Sequence, residues 1–403
     1  MDRMVDNKHT TIIETCPEEA QPARAVVSPA TTGFTAASTA GVDTSRSKKS
    51  RNPECFMNVS EIIRYHGYPS EEYEVTTEDG YILAVYRIPA GRNDQNTGVT
   101  VTEHNEGQRP AVFLQHAFLG DATHWISNLP NNSLGFVLAD AGYDVWLGNS
   151  RGNTWSLKHK TLKPCQKEFW QFRISTLTQT ISSVFAGFIA FYTYPELAKR
   201  VKVFFALGPV TACPHATSPL IKLTNLPEPL LRLVFGCKGV AHQIEFLKGP
   251  VTQLCTSLDR FCAHVLCYIA GGSVKNINTS RVDMYVGHSP AGTSAHNIFH
   301  WRQLAHTDRF QAYDYGSKEN MKKYNQTAPP EYKIEEIKIP IAVWSGGQDK
   351  FADPTDMARL LPRITNLIYH ENFPAWGHLD FIWGLDATEK MYLKIIELLR
   401  KYF

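Results

Sequence analysis

The chain has 403 residues, 43% hydrophobic and 20% charged, an ordinary globular balance at a length that buries a sizeable core. Lys and Arg number 41 against 39 Asp and Glu, a net charge of +2, which argues against a nucleic-acid binder and rules out a polyacidic solvating chain. The most apolar run, 184–192, falls far short of the ~20 residues a spanning helix needs. The first residues, MDRMVDNKHTTIIETCPEEAQ, lack the apolar stretch of a signal peptide. The 8 cysteines show neither CxxC nor zinc spacing. No metal and no cofactor are expected, and the cysteines read as buried thiols with room for one bridge.

Residues 1–51 are rich in Ala, Ser and Thr and poor in large apolar side chains. They read as a disordered tail. Order is expected from Met57, with a helix start at Asn58-Val-Ser-Glu-Ile-Ile. EYEVTTEDGYILAVYRIP then places Asp79-Gly80 between two strand-like runs, a strong hairpin signal. The polar stretch 91–109 reads as an exposed loop. Beyond it, strand and helix alternate. Strands are expected at 111–114, 143–147, 201–208, 341–344 and 366–370. Helices are expected at 133–142 and over 388–403, an amphipathic closing helix. Such alternation implies an α/β fold with a mostly parallel sheet covered on both faces. The stretch 210–335 breaks the rhythm with Pro-rich turns (NLPEPLL) and short apolar helical pieces, and reads as a cap inserted over the sheet. No repeat of 20–50 residues is visible.

Ligands of open α/β sheets bind beyond the carboxyl ends of the strands. His116, Asp349 and His378 all stand there, each in or before the loop that follows a strand. An Asp followed by a His near the C-terminus is the acid–base half of a hydrolase triad. The carboxylate would hold the imidazole in one tautomer, and the imidazole would take and return a serine proton. Asp349, two residues after Gly346-Gly347, also suits a plain turn. Gly148-Asn-Ser150-Arg-Gly152 matches Gly-x-Ser-x-Gly in letters but reads as the glycine-rich turn after the strand 143–147, and no other Gly-x-Ser-x-Gly that would carry the serine is present. A looser match is Gly287-His-Ser289-Pro-Ala-Gly292, with one residue too many and no N–H after the serine. Ser289 is therefore a weak candidate for the nucleophile. The favoured reading makes it a helix cap, with Pro290 in the first helical position.

The motifs NVSEIIRYHGYPSEEYEVTTEDGYIL, FLQHAFLGDATHWISN, SLGFVLADAGYDVWLGNSRGNTWS, HSPAGTSAHN, VWSGGQDKFAD and HLDFIWGLDA resemble the acid lipase family, the gastric and lysosomal acid lipases and their epidermal relatives. The resemblance spans residues 52–403. It implies an α/β-hydrolase fold and hydrolysis of triacylglycerols and steryl esters at a lipid–water interface, in a secreted or lysosomal glycoprotein. By motif it makes Asp349 and His378 the charge-relay pair and the Phe118 backbone N–H one oxyanion donor. Cys255 and Cys262 fall where the family has a cap disulfide, with two separate thiols as the other reading. Asn58, Asn131, Asn278 and Asn325 each head an N-x-[ST] sequon.

The chain departs from the family after Lys167-Glu-Phe-Trp-Gln-Phe172. There the family runs through a helix, the central strand and the elbow. This chain instead reads RISTLTQTISSVFA and rejoins at Gly187-Phe-Ile-Ala-Phe. About one strand–helix unit is missing, on the order of 30–40 residues. That is the pattern a skipped exon or a mis-joined gene prediction leaves. Smaller departures are Ala117, where the family has Gly after the oxyanion-loop His, and Lys350, where it has an apolar aromatic. The expected organisation is a tail (1–51), an N-terminal core part (52–209, with the deletion near 173–186), a cap (210–335) and a C-terminal core part (336–403). The expected function is a neutral-lipid ester hydrolase by family, with this chain inactive for want of its serine. The alternatives are a non-catalytic lipid binder and an unstable isoform.

Overall fold

The computed structural model describes residues 50–93, 109–172, 183–223, 225–227, 229–231, 239 and 245–402. The expected tail, apart from Ser50 and Arg51, lies outside them, as do the joint at 173–182 and most of the polar stretch 91–109.

Local chemistry sets the first elements. The Asn58 side chain accepts the Glu61 N–H while the Glu61 side chain accepts the Asn58 N–H, a capping box that starts the helix Val59–Tyr65. Val59, Ile62 and Ile63 form its buried stripe. β1 (Glu71–Thr76) turns at Asp79-Gly80 into β2 (Tyr81–Ile88), and the two pair antiparallel, as expected of the hairpin. β3 (Ala111–Gln115) and β4 (Asp144–Gly148) pair parallel, with the helix Leu134–Asp140 between them in sequence. β5 (Lys158–His159) is a short strand on β2.

After the helix Ser183–Thr193 come β6 (Phe204–Leu207), β7 (Ile341–Gly346) and β8 (Leu367–Phe373), all parallel to their neighbours. The expected closing helix is divided into a wider turn, Thr388–Tyr392, and a regular helix, Leu393–Tyr402. Between β6 and β7 the described elements are helical, apart from isolated bridges. The longest are Glu245–Ser257, Asp259–Ala270 and Ala295–Leu304.

The strands form two sheets. One runs β1-β2-β4-β3, the other β6-β7-β8. The strand pairing is thus mixed: parallel between β3 and β4 and among β6, β7 and β8, antiparallel at the β1–β2 side. Among the described residues β3 pairs only with β4, and β6 only with β7. Both are edges. β7, flanked on both sides, has all six residues buried. On β3, Phe113 is 50% exposed. One core nevertheless spans both sheets, joining Leu114, Val145 and Leu147 to Ala342, Trp344 and Phe373.

Candidate active site

Asp349 lies in the tight turn after β7. Its N–H donates to the Gly346 carbonyl, and its Oδ1 accepts the N–H groups of Phe351 and Ala352 at 2.8 Å each. The remaining oxygen, Oδ2, accepts His378 Nδ1 at 2.9 Å. The Asp349 side chain is fully enclosed, while a fifth of His378 stays exposed. A carboxylate so rich in donors is held in one orientation.

His378 follows β8 in the loop expected for it. Burial alone would lower its pKa. The Asp349 charge and hydrogen bond outweigh burial, and the pKa is raised. With Nδ1–H engaged by Asp349, the basic lone pair is on Nε2. Among the described residues no group bonds to Nε2. That is an oriented proton acceptor.

Two features of this pair escaped sequence reasoning. Gly208, at the end of β6, has φ +53°, and a Cβ there would stand 3.2 Å from both Asp349 Oδ2 and His378 Nδ1. The Ala270 carbonyl, at the end of the helix Asp259–Ala270, accepts the N–H of Lys350 at 3.3 Å and of His378 at 3.0 Å. Lone glycines and a backbone carbonyl leave no side-chain signal in a sequence.

His116 is not joined to the pair. Its Nδ1 donates to the Ala117 carbonyl at 2.8 Å, and its Nε2 accepts the Ser150 N–H at 3.1 Å. Burial lowers its pKa, so it is a neutral ring that shapes the loop. In that loop Gly120 N–H closes a turn on the Ala117 carbonyl, and Leu119 sits at φ 62°. Phe118 packs its ring on Trp301 at 5.1 Å. Among the described residues nothing accepts its backbone N–H.

Ser289 is not the helix N-cap expected of it. It closes the helix Val282–His288, donating its N–H to the Tyr285 carbonyl at 2.9 Å. The next helix starts at Ala295, and Ser294 caps it by accepting the Asn297 N–H. Pro290, Ala291, Gly292 and Thr293 separate the two caps, so Pro290 stands in a loop. Ser289 Oγ lies 2.9 Å from His124 Nε2. No signal in the sequence joins these two. Burial takes the His124 pKa down to about 4, and among the described residues its buried Nδ1 has no hydrogen-bond partner. The pair therefore lacks an orienting carboxylate.

Cys255 and Cys262 form a disulfide with Cα atoms 5.6 Å apart, and Cys165 is also disulfide-bonded, one bridge more than the composition led us to expect. Cys55, Cys213 and Cys267 are buried thiols. Of the sequon residues, Asn131 and Asn325 are exposed. Asn58 caps its helix, and Asn278 donates to Asn128 Oδ1 at 3.2 Å. Among the described residues no cluster of three or more His, Cys, Asp or Glu could hold a metal ion, and no helix is long and apolar enough to cross a membrane.

Two family models match: a partial alpha/beta-hydrolase lipase region over residues 59–129 and the alpha/beta hydrolase fold over residues 110–385. The chain is 49% identical over 377 residues to the human lysosomal acid lipase/cholesteryl ester hydrolase, covering 87% of this chain and 92% of that protein. It is 46% identical to mouse lipase member M over 379 residues, 88% of each chain. To human gastric triacylglycerol lipase it is 46% identical over 374 residues, 86% of this chain and 92% of that one. The match of 377 positions takes up 87% of 403 residues, about 350, so about 26 matched positions have no residue here.

Proposed function

The chain belongs to the acid lipase family of α/β-hydrolases, and from that premise we propose that it binds neutral lipid esters, triacylglycerols and steryl esters, without turning them over at the rate of a complete triad. One observation carries this reading. The oriented Asp349–His378 pair has no hydroxyl on Nε2 among the described residues, while the sheet stops at β3 and resumes at β6. A strand between them would bring its serine to the carboxyl ends of the sheet, where His378 stands. Loss of a triad serine costs around a millionfold in comparable enzymes.

The insertion supports the lipid side. The disulfide-linked helices Glu245–Ser257 and Asp259–Ala270 expose Leu247, Leu254, Leu258, Phe261 and Tyr268, the last 66% open. Exposed apolar side chains of this kind suit a lipid–water interface. In this reading the insertion is a cap over the site. The Cys255–Cys262 bridge and the exposed sequon residues Asn131 and Asn325 suit an oxidising, glycosylating compartment, so the protein is read as secreted or lysosomal.

A fluorophosphonate probe and a short-chain aryl ester test catalysis, and a fluorescent cholesteryl ester tests binding. The expected result is saturable binding with no active-site label and no turnover above background. Turnover lost in the variant His378→Ala would overturn the inactive reading, and absence of binding would overturn the lipid reading. The exposed β3 edge favours a second reading, an unstable chain, which a cooperative thermal melt of the full protein would exclude.

A further inference from the structure

The loop that carries His378 is fastened at more points than the Asp349 hydrogen bond. Asp380, two residues on, is 2% exposed. Its Oδ2 accepts the Gly377 N–H at 2.6 Å, and its Oδ1 accepts Asn276 Nδ2 at 2.8 Å. Asn276 belongs to the segment that follows the helix Asp259–Ala270, in the insertion. Its carbonyl accepts the Leu385 N–H at 2.7 Å, on the far side of the same loop.

The fit between the two segments is close. Gly272 has φ +83°, and a Cβ there would stand 2.3 Å from Asp380 Oδ2. A Cβ on Gly377 would stand 2.2 Å from the Gly271 carbonyl carbon. The carboxylate is also an expensive choice. Burial pushes its pKa up to about 6 despite its two donors, and among the described residues no Lys or Arg pairs with it. A buried charge without a cation calls for a reason beyond stability.

We propose that Asp380 and Asn276 are positioning residues, which lock the peptide before His378 onto the insertion and so keep the His378 imidazole in register with Asp349. The inference rests on reading Asp349 and His378 as the charge-relay pair. Gly377 N–H immediately precedes His378, so its anchoring fixes the starting direction of that residue. The Ala270 carbonyl holds the next N–H along, that of His378 itself. Two consecutive amides are thus tied to one turn of the insertion, one through Asp380 and one directly. Neither Asp380 nor Asn276 touches the reacting atoms.

The test reads the His378 Nδ1 proton by NMR in the ¹⁵N-histidine-labelled full chain. The wild type is expected to show a far-downfield Nδ1–H resonance that disappears in Asp349→Asn. In Asp380→Ala and in Asn276→Ala the resonance is expected to be lost or moved upfield, with near-UV circular dichroism preserved. Lys275→Ala, an exposed neighbour of Asn276, is expected to keep it. If Asp380→Ala does not fold, Asn276→Ala decides. A resonance unchanged in the folded variants overturns this inference and leaves the relay pair standing. A resonance missing from the wild type overturns the relay reading and this inference with it.

Discussion

Glu54 meets Arg281 through two hydrogen bonds of 2.5 Å, and both side chains are buried. His66 Nε2 bonds the same carboxylate at 2.9 Å, and Arg281 also donates to the Ser127 carbonyl. This ties the helical turn around Glu54 to the helical segment between β6 and β7, 227 residues away in sequence. Burial raises the Glu54 pKa, but its partners prevail and lower it to about 2.

Acid stability follows from that shift. A carboxyl whose folded pKa lies below its ordinary 4.5 contributes stability above that value and loses it as pH falls to about 2. Thermal melts between pH 5 and 2 should therefore fall steeply in the wild type and less steeply in Glu54→Gln. Arg281→Met, which strands a buried carboxylate, is expected to cost roughly 3–5 kcal/mol at neutral pH by urea titration.

The Asp349–His378 pair gives an opposite pH sign. His378 has its pKa raised, so its pairing stabilises the fold below the ordinary imidazole value and stops doing so as pH rises through the folded one. In Asp349→Asn the attraction is gone and burial is left. The His378 midpoint, read from imidazole C–H shifts, should drop from above the ordinary value to below it. A midpoint that stays put would show that Asp349 does not set it.

Ser289 provides a third check. His124 stays neutral at pH 7 and lacks a carboxylate, so it makes a feeble base for the Ser289 hydroxyl. Peptide mass spectrometry after fluorophosphonate treatment should find Ser289 unlabelled. His124→Asn should then leave probe reactivity unchanged and cost stability of about 1–3 kcal/mol, the range for a lost buried hydrogen bond. Labelled Ser289 would show a relocated nucleophile.

At Gly208, Ala would have to adopt φ +53° with its Cβ against the pair. Gly208→Ala is expected to destabilise by roughly 1–3 kcal/mol and to weaken the Asp349–His378 hydrogen bond. Urea titration reads the first effect and the His378 midpoint the second.

How much of this was legible before folding depends on where the partner sits. The helix start at Asn58 and the Asp79-Gly80 hairpin are local, written within three or four residues, and both formed as read. Asp349 and His378 were found because each follows a strand, and parallel strands point their carboxyl ends the same way. Ser289 was misread because Ser-Pro suits a helix start by local preference, whereas Ser294 and Asn297, further on, set the real one. The Ser289–His124 contact spans 165 residues, and the Asp380–Asn276 contact joins the core to the insertion. Contacts of that reach are products of tertiary packing and leave no periodicity to read. Of the four expected sequon asparagines, only the folded structure separates exposed Asn131 and Asn325 from half-buried Asn58 and Asn278, whose side chains are already engaged.

The interruption between β3 and β6 also changes how the backbone meets water. A continuous sheet has two margins, but the described strands present four: β1, β3, β6 and β8. Amides that would lie in the protected middle of the molecule sit instead on strands with one neighbour each. In hydrogen–deuterium exchange, β3 and β6 should lose protons on the timescale of peripheral strands, while β7, with a neighbour on each side, holds its own the longest.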